Sequence, residues 1–82
     1  MISVVYFARL KELFGVAEEV ITATPATVAD LIALLVARGG VWAEELAAGK
    51  VFRVAINQDM AQLSDVIPDN AEVAIFPPVT GG

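Results

Sequence analysis

The sequence predicts an α+β fold, a mixed sheet of four to five strands with one main helix packed on one of its faces. Three observations carry that expectation: apolar alternation over residues 2–8, a helix-spaced apolar stripe over 28–38, and a return to alternation at 72–76. A chain of 82 residues makes one small domain. Such a domain buries only about 60% of the surface its unfolded chain exposes, which leaves room for one sheet and a helix or two.

Residues 2–8 place Ile2, Val4, Tyr6 and Ala8 on one side and Ser3, Val5 and Phe7 on the other, with the β-branched and aromatic content of a strand. Arg9 to Phe14 is too short for an independent helix, so this segment and Gly15 read as the wide loop of a hairpin whose second strand spans Glu18 to Ala23. Thr24-Pro25-Ala26-Thr27 stops that strand, and Thr27 is placed to cap a helix, with Asp30 three residues on. The helix should run from Val28 to about Arg38, burying Val28, Leu31, Ile32 and Leu35, and end at Gly39-Gly40. Trp42 to Ala48 reads as a short amphipathic helical turn that plugs one end of the core, with Glu44 and Glu45 in water. A third strand is expected over Val51 to Asn57, with Phe52, Val54 and Ile56 on one face and Arg53 and Asn57 on the other. Asn57-Gln58-Asp59 turns into a short strand near Ala61 to Ser64, and Pro68-Asp69-Asn70 turns into the last strand, Glu72 to Phe76. Pro77-Pro78 ends it, because proline has no amide to donate to a ladder.

The order β-β-α-β-β with a single main helix is that of the β-grasp, or ubiquitin-like, arrangement. Its first and last strands lie parallel at the centre of the sheet. Ile2, Val4 and Tyr6 then share the helix-covered face with Val73 and Ile75, and Val5 and Phe7 lie beside Ala74 and Phe76 on the open face. Adjacent aromatics on an open sheet face suggest a protein contact, which makes Phe7, Phe76 and Val5 the candidate partner interface.

Composition excludes several classes of function. No cysteine and no histidine are present, which removes thiolate nucleophiles, thiolate metal sites and the commonest metal ligand and general base, so a self-contained enzyme is not expected. Five basic residues against ten acidic ones, net charge −5, argue against nucleic acid. That charge either steers the domain toward a basic protein or keeps a hydrophobic domain dissolved. The apolar fraction of 57% exceeds the usual ~45 to 50%, so apolar surface remains for a partner. No uninterrupted run reaches the ~18 apolar residues of a membrane span and no signal-peptide pattern opens the chain, so a cytoplasmic location is expected.

The sequence ends in Gly81-Gly82. Two residues without side chains make the thinnest possible tip, able to enter a narrow active site and deliver the Gly82 carboxylate there; the alternative is a frayed end. Residues 1–76 are read as the domain and 77–82 as an extended tail. From Pro77 to Gly82 it spans about 20 Å at roughly 3.3 to 3.6 Å per residue, and Pro77-Pro78 stiffens its base.

Tyr6-Phe7-Ala8-Arg9-Leu10-Lys11-Glu12-Leu13-Phe14-Gly15, Val54-Ala55-Ile56-Asn57-Gln58 and Glu72-Val73-Ala74-Ile75-Phe76-Pro77-Pro78-Val79-Thr80-Gly81-Gly82 together resemble the small subunits of molybdopterin synthase (MoaD) over essentially the whole chain. Asn70-Ala71 departs from the Gly-Asp usual in that family, which puts the geometry of one turn in question. The resemblance implies a ubiquitin-like sulfur carrier of molybdenum cofactor biosynthesis, not catalytic alone. Its Gly82 would be adenylated with ATP by a ubiquitin-activating-like adenylyltransferase (MoeB-like) and converted by a sulfur donor to a thiocarboxylate. The sulfur would then pass to precursor Z, the cyclic pyranopterin monophosphate, to build the molybdopterin dithiolene. It also implies a large subunit (MoaE-like) in a two-plus-two heterotetramer. The reach and stiffness of the tail assign delivery to Gly81, Thr80, Val79, Pro78 and Pro77, and no permanently bound cofactor, metal, nucleic acid or membrane is expected. A thiamin-type sulfur carrier and a ubiquitin-like protein modifier remain as alternatives.

Overall fold

The computed structural model describes residues 1–78. Five strands, β1 (Ile2–Tyr6), β2 (Glu18–Ile21), β3 (Arg53–Ile56), β4 (Asp59–Ala61) and β5 (Glu72–Phe76), form one sheet in the order β2-β1-β5-β3-β4. β1 and β5 are parallel, and every other pairing is antiparallel. Three helices, α1 (Ala8–Phe14), α2 (Val28–Val36) and α3 (Gly40–Leu46), complete the β-grasp fold.

Alternation along the two central strands separates the faces. Ile2, Val4, Tyr6, Val73 and Ile75 are buried against the helices, and α2 contributes Val28, Leu31, Ile32 and Leu35, the four residues of the expected stripe. Thr27 caps α2, its hydroxyl accepting a hydrogen bond from the Asp30 amide at 3.2 Å, and so satisfies one of the amide donors that a helix start leaves unpaired.

Two strands are shorter than expected, β2 ending at Ile21 rather than Ala23 and β3 spanning Arg53–Ile56 rather than Val51 to Asn57, and three further features differ from the sequence expectation. Residues 8–14 form α1 rather than a loop: seven residues are too few to be helical alone, but Leu10 and Phe14 are buried in the core and Gly15 closes the end at φ +77°, its amide bonded to the Lys11 carbonyl at 3.0 Å. β4 begins at Asp59 rather than Ala61. The cause is a two-residue loop with Asn57 at φ +49° and Gln58 at φ +74°, a turn that brings Asp59 directly opposite Ile56. Glu45 is not free in water but half-buried, held by both Nη atoms of Arg9 at 2.7 Å. The turn at Asn70-Ala71 is accommodated as well. Asn70 takes the left-handed conformation (φ +60°) that asparagine tolerates better than most residues, while Ala71 is buried and its carbonyl accepts from the Ser3 amide.

Candidate functional site

The site is built on β5, the middle strand. Its pairing sets Val5 opposite Ala74 and Tyr6 opposite Ile75, and the Phe7 amide extends the ladder by donating to the Ile75 carbonyl at 3.2 Å. Phe7 therefore falls beside Phe76 on the uncovered face. Their rings meet edge to face with centroids 6.4 Å apart, an arrangement that aligns the positive edge of one ring with the negative face of the other. Phe7 is 48% exposed and Phe76 and Val5 are half-buried, so the pair is held in place yet still has apolar area to give up to a partner.

The expected interface residues thus come together, Phe7 with Phe76 in one row and Val5 with Ala74 in the next. Two further apolar residues widen the patch: Met60, opposite Ala55, is 60% exposed, and Val20, opposite Ser3, is 58% exposed. Val20 was readable from the alternation of Glu18–Ile21, whereas Met60 depends on the hairpin register and carried no sequence signal. Pro77 and Pro78 leave β5 at the aromatic end of this face. They are half-buried and line a shallow cleft with Arg9, Leu10, Glu45 and Val51, so the Arg9–Glu45 ion pair stands beside the base of the tail. Val79, Thr80, Gly81 and Gly82 lie outside the described residues.

On the opposite face sits a polar cluster that sequence reasoning did not find. The Tyr6 hydroxyl donates to Glu19 Oε2 at 2.6 Å, and Arg38 grips both Glu19 oxygens at 2.8 Å. The Arg38 guanidinium also lies 4.5 Å from the centroid of the Trp42 ring, which stacks on Phe14 at 3.9 Å. Hydrogen bonds from Arg38 hold the Glu19 carboxyl below the usual carboxylate range, while burial, reinforced by Glu19, pushes the Tyr6 phenol well above the ordinary tyrosine range. Every group in the cluster is engaged within the domain, which marks it as a structural brace rather than a reactive centre. Among the described residues, no three metal-ligating side chains gather.

Residues 4–82 match the sequence profile of the ThiS family. The chain belongs to the ThiS family. Among members, the molybdopterin synthase sulfur carrier subunits of Haemophilus influenzae and of Escherichia coli are each 39% identical to it over 82 residues, covering all of both chains. Among solved structures, SAMP1 from Haloferax volcanii superimposes with a TM-score of 0.75 at 30% identity, covering 99% of this chain and 98% of that one. The family match runs to residue 82, and this ThiS-family chain shares the ubiquitin-like sheet with the solved structure. Among the described residues, no helix is long and apolar enough to cross a membrane.

Proposed function

We propose that this chain is the sulfur carrier subunit of a molybdopterin synthase, with the carboxylate of Gly82 as the group that carries sulfur. The observation that carries the reading is the geometry at the end of β5, where the central strand passes the exposed Phe7–Phe76 pair and continues into Pro77 and Pro78, four residues before Gly82 in sequence. On this reading a docking surface and a delivery arm adjoin there, and 39% identity over the full length of two sulfur carrier subunits supports the chemistry.

A carboxylate is a poor electrophile. An activating enzyme would join Gly82 to AMP, releasing pyrophosphate, and a sulfur donor would then displace AMP to leave the thiocarboxylate. Inside the synthase, the large subunit would supply the acid, base and pterin-binding groups, which agrees with the absence of histidine and the few basic residues in this chain. The tail would enter it with Pro77 and Pro78 already restricted, which lowers the entropy lost on insertion, and with Gly81 keeping the tip narrow. No cysteine is needed in such a carrier, because the sulfur rides on the main-chain terminus.

A second reading, a modifier joined to lysines of other proteins, is favoured by the likeness to the H. volcanii small archaeal modifier protein 1. The two separate in one experiment. The chain is incubated with its activating enzyme, ATP and a sulfur donor, and its mass is measured. Exchange of one terminal oxygen for sulfur, lost when a residue is appended after Gly82, is the expected result. An unaltered terminus under conditions that modify a known carrier contradicts the proposal, and a ladder of lysine conjugates in cell extract without thiocarboxylate would favour the modifier.

A further inference from the structure

The open face is electrically lopsided. Its strands place three rows across the sheet: Val20, Ser3, Glu72 and Asn57; then Glu18, Val5, Ala74, Ala55 and Met60; then Phe7, Phe76 and Arg53, nearest the tail. Glu72 and Glu18 put carboxylates in the two rows away from the tail. Arg53 puts a cation in the third, directly across the ladder from Phe76. In a chain of net charge −5 this cation stands out, and among the described residues it is the one basic residue carried by a strand. Arg9 and Arg38 are each committed to a carboxylate within the domain. Arg53 is exposed and, among the described residues, makes no ion pair or side-chain hydrogen bond.

We infer that Arg53 is the orienting contact of the docking face, meeting a carboxylate on the synthase large subunit at the rim of the surface that covers Phe7 and Phe76. The inference rests on the sulfur-carrier reading and adds the chemistry of the partner: an apolar centre, an acidic group on the side where the tail enters, and no such group at the Glu18 and Glu72 end. An apolar patch sets affinity but tolerates rotation about its normal. A charge at one end of it fixes the docking direction, since the reversed pose would bring like charges together. Direction matters here because Pro77 and Pro78 leave the sheet from that same row, beyond Phe76, and a rotated pose would move the start of the tail away from the partner's active site.

The test is titration of wild-type chain, Arg53→Gln, Arg53→Glu, Arg53→Lys and Lys50→Gln against the purified large subunit, from about 50 to about 500 mM NaCl. Lys50 is exposed, lies outside the strands and carries the same unit charge, so its variant controls for net charge. Arg53→Gln is expected to weaken binding about tenfold at low salt and to flatten the salt dependence; Arg53→Glu should weaken it by ~100-fold or more, and Arg53→Lys should recover most of the loss. All variants should melt as the wild type does. Arg53→Gln with unaltered affinity and salt dependence, or with an effect no larger than that of Lys50→Gln, would overturn the inference while leaving the carrier reading intact. Failure of the wild-type chain itself to bind would overturn the carrier reading and this inference with it.

Discussion

Tyr6 and Phe7 are consecutive aromatic residues at the end of one strand, and the strand's two-residue period sends them to opposite faces of the sheet. Tyr6 is 1% exposed, meets Phe14 and Trp42 edge to face at 5.2 and 5.4 Å, and gives its hydroxyl proton to Glu19. Phe7 contacts one ring, Phe76, and keeps about half its surface in water. The difference separates two uses of an aromatic side chain in one small domain. On the helix side, rings and charges are spent on one another to brace a modest core. On the open side the rings of Phe7 and Phe76 meet only each other and keep apolar area exposed where β5 passes into Pro77, the area that a partner would cover under the proposed function.

Three substitutions bear on that division, and their effects on stability should fall in order. Tyr6→Ala should cost about 3 to 5 kcal/mol in denaturant unfolding, the usual loss for a large aromatic removed from a core, and no partner should be needed to see it. A loss of under ~1 kcal/mol would mean that the brace is not what holds this end together. Glu19→Gln comes next, at about 1 kcal/mol near neutral pH, because Glu19 and Arg38 are partly exposed and water offsets much of their attraction. Its effect should depend on pH in one direction. The folded carboxyl is held below its ordinary value, so its contribution is present above the unfolded value near ~4.3 and disappears as pH falls through the folded one. Unfolding curves of the wild type and Glu19→Gln should therefore converge in acid. The smallest change in stability belongs to Phe7→Ala, within ~0.5 kcal/mol, since half of that ring is already in water.

The parts of the fold that could be read from sequence are those whose local pattern and burial agree. Val28, Leu31, Ile32 and Leu35 recur at helical spacing and are buried together, and Glu72–Phe76 alternates and forms the central strand with the expected limits. Phe7 and Phe76 could be paired because strand parity plus parallel neighbours fixes which residues meet. What could not be read depends on contacts distant in sequence. α1 is helical because Leu10 and Phe14 reach the core, a gain that a seven-residue window does not contain. Tyr6, Glu19 and Arg38 come from three different elements, and their spacing has no period that would announce a hydrogen-bonded chain. Strand parity sets Arg53 on the face opposite Phe52, Val54 and Ile56, but its isolation from the carboxylates of the described residues depends on Arg9 and Arg38 taking theirs, which are contacts distant in sequence.

The division between brace and docking face is tested most directly by measuring affinity for the synthase large subunit and unfolding free energy on the same preparations of Phe7→Ala and Phe76→Ala. Binding should weaken by about 1 to 3 kcal/mol in each while the Phe7→Ala unfolding curve stays near the wild type. Wild-type affinity in both variants would contradict the account, because the exposed pair beside the tail would then have no part in delivering it.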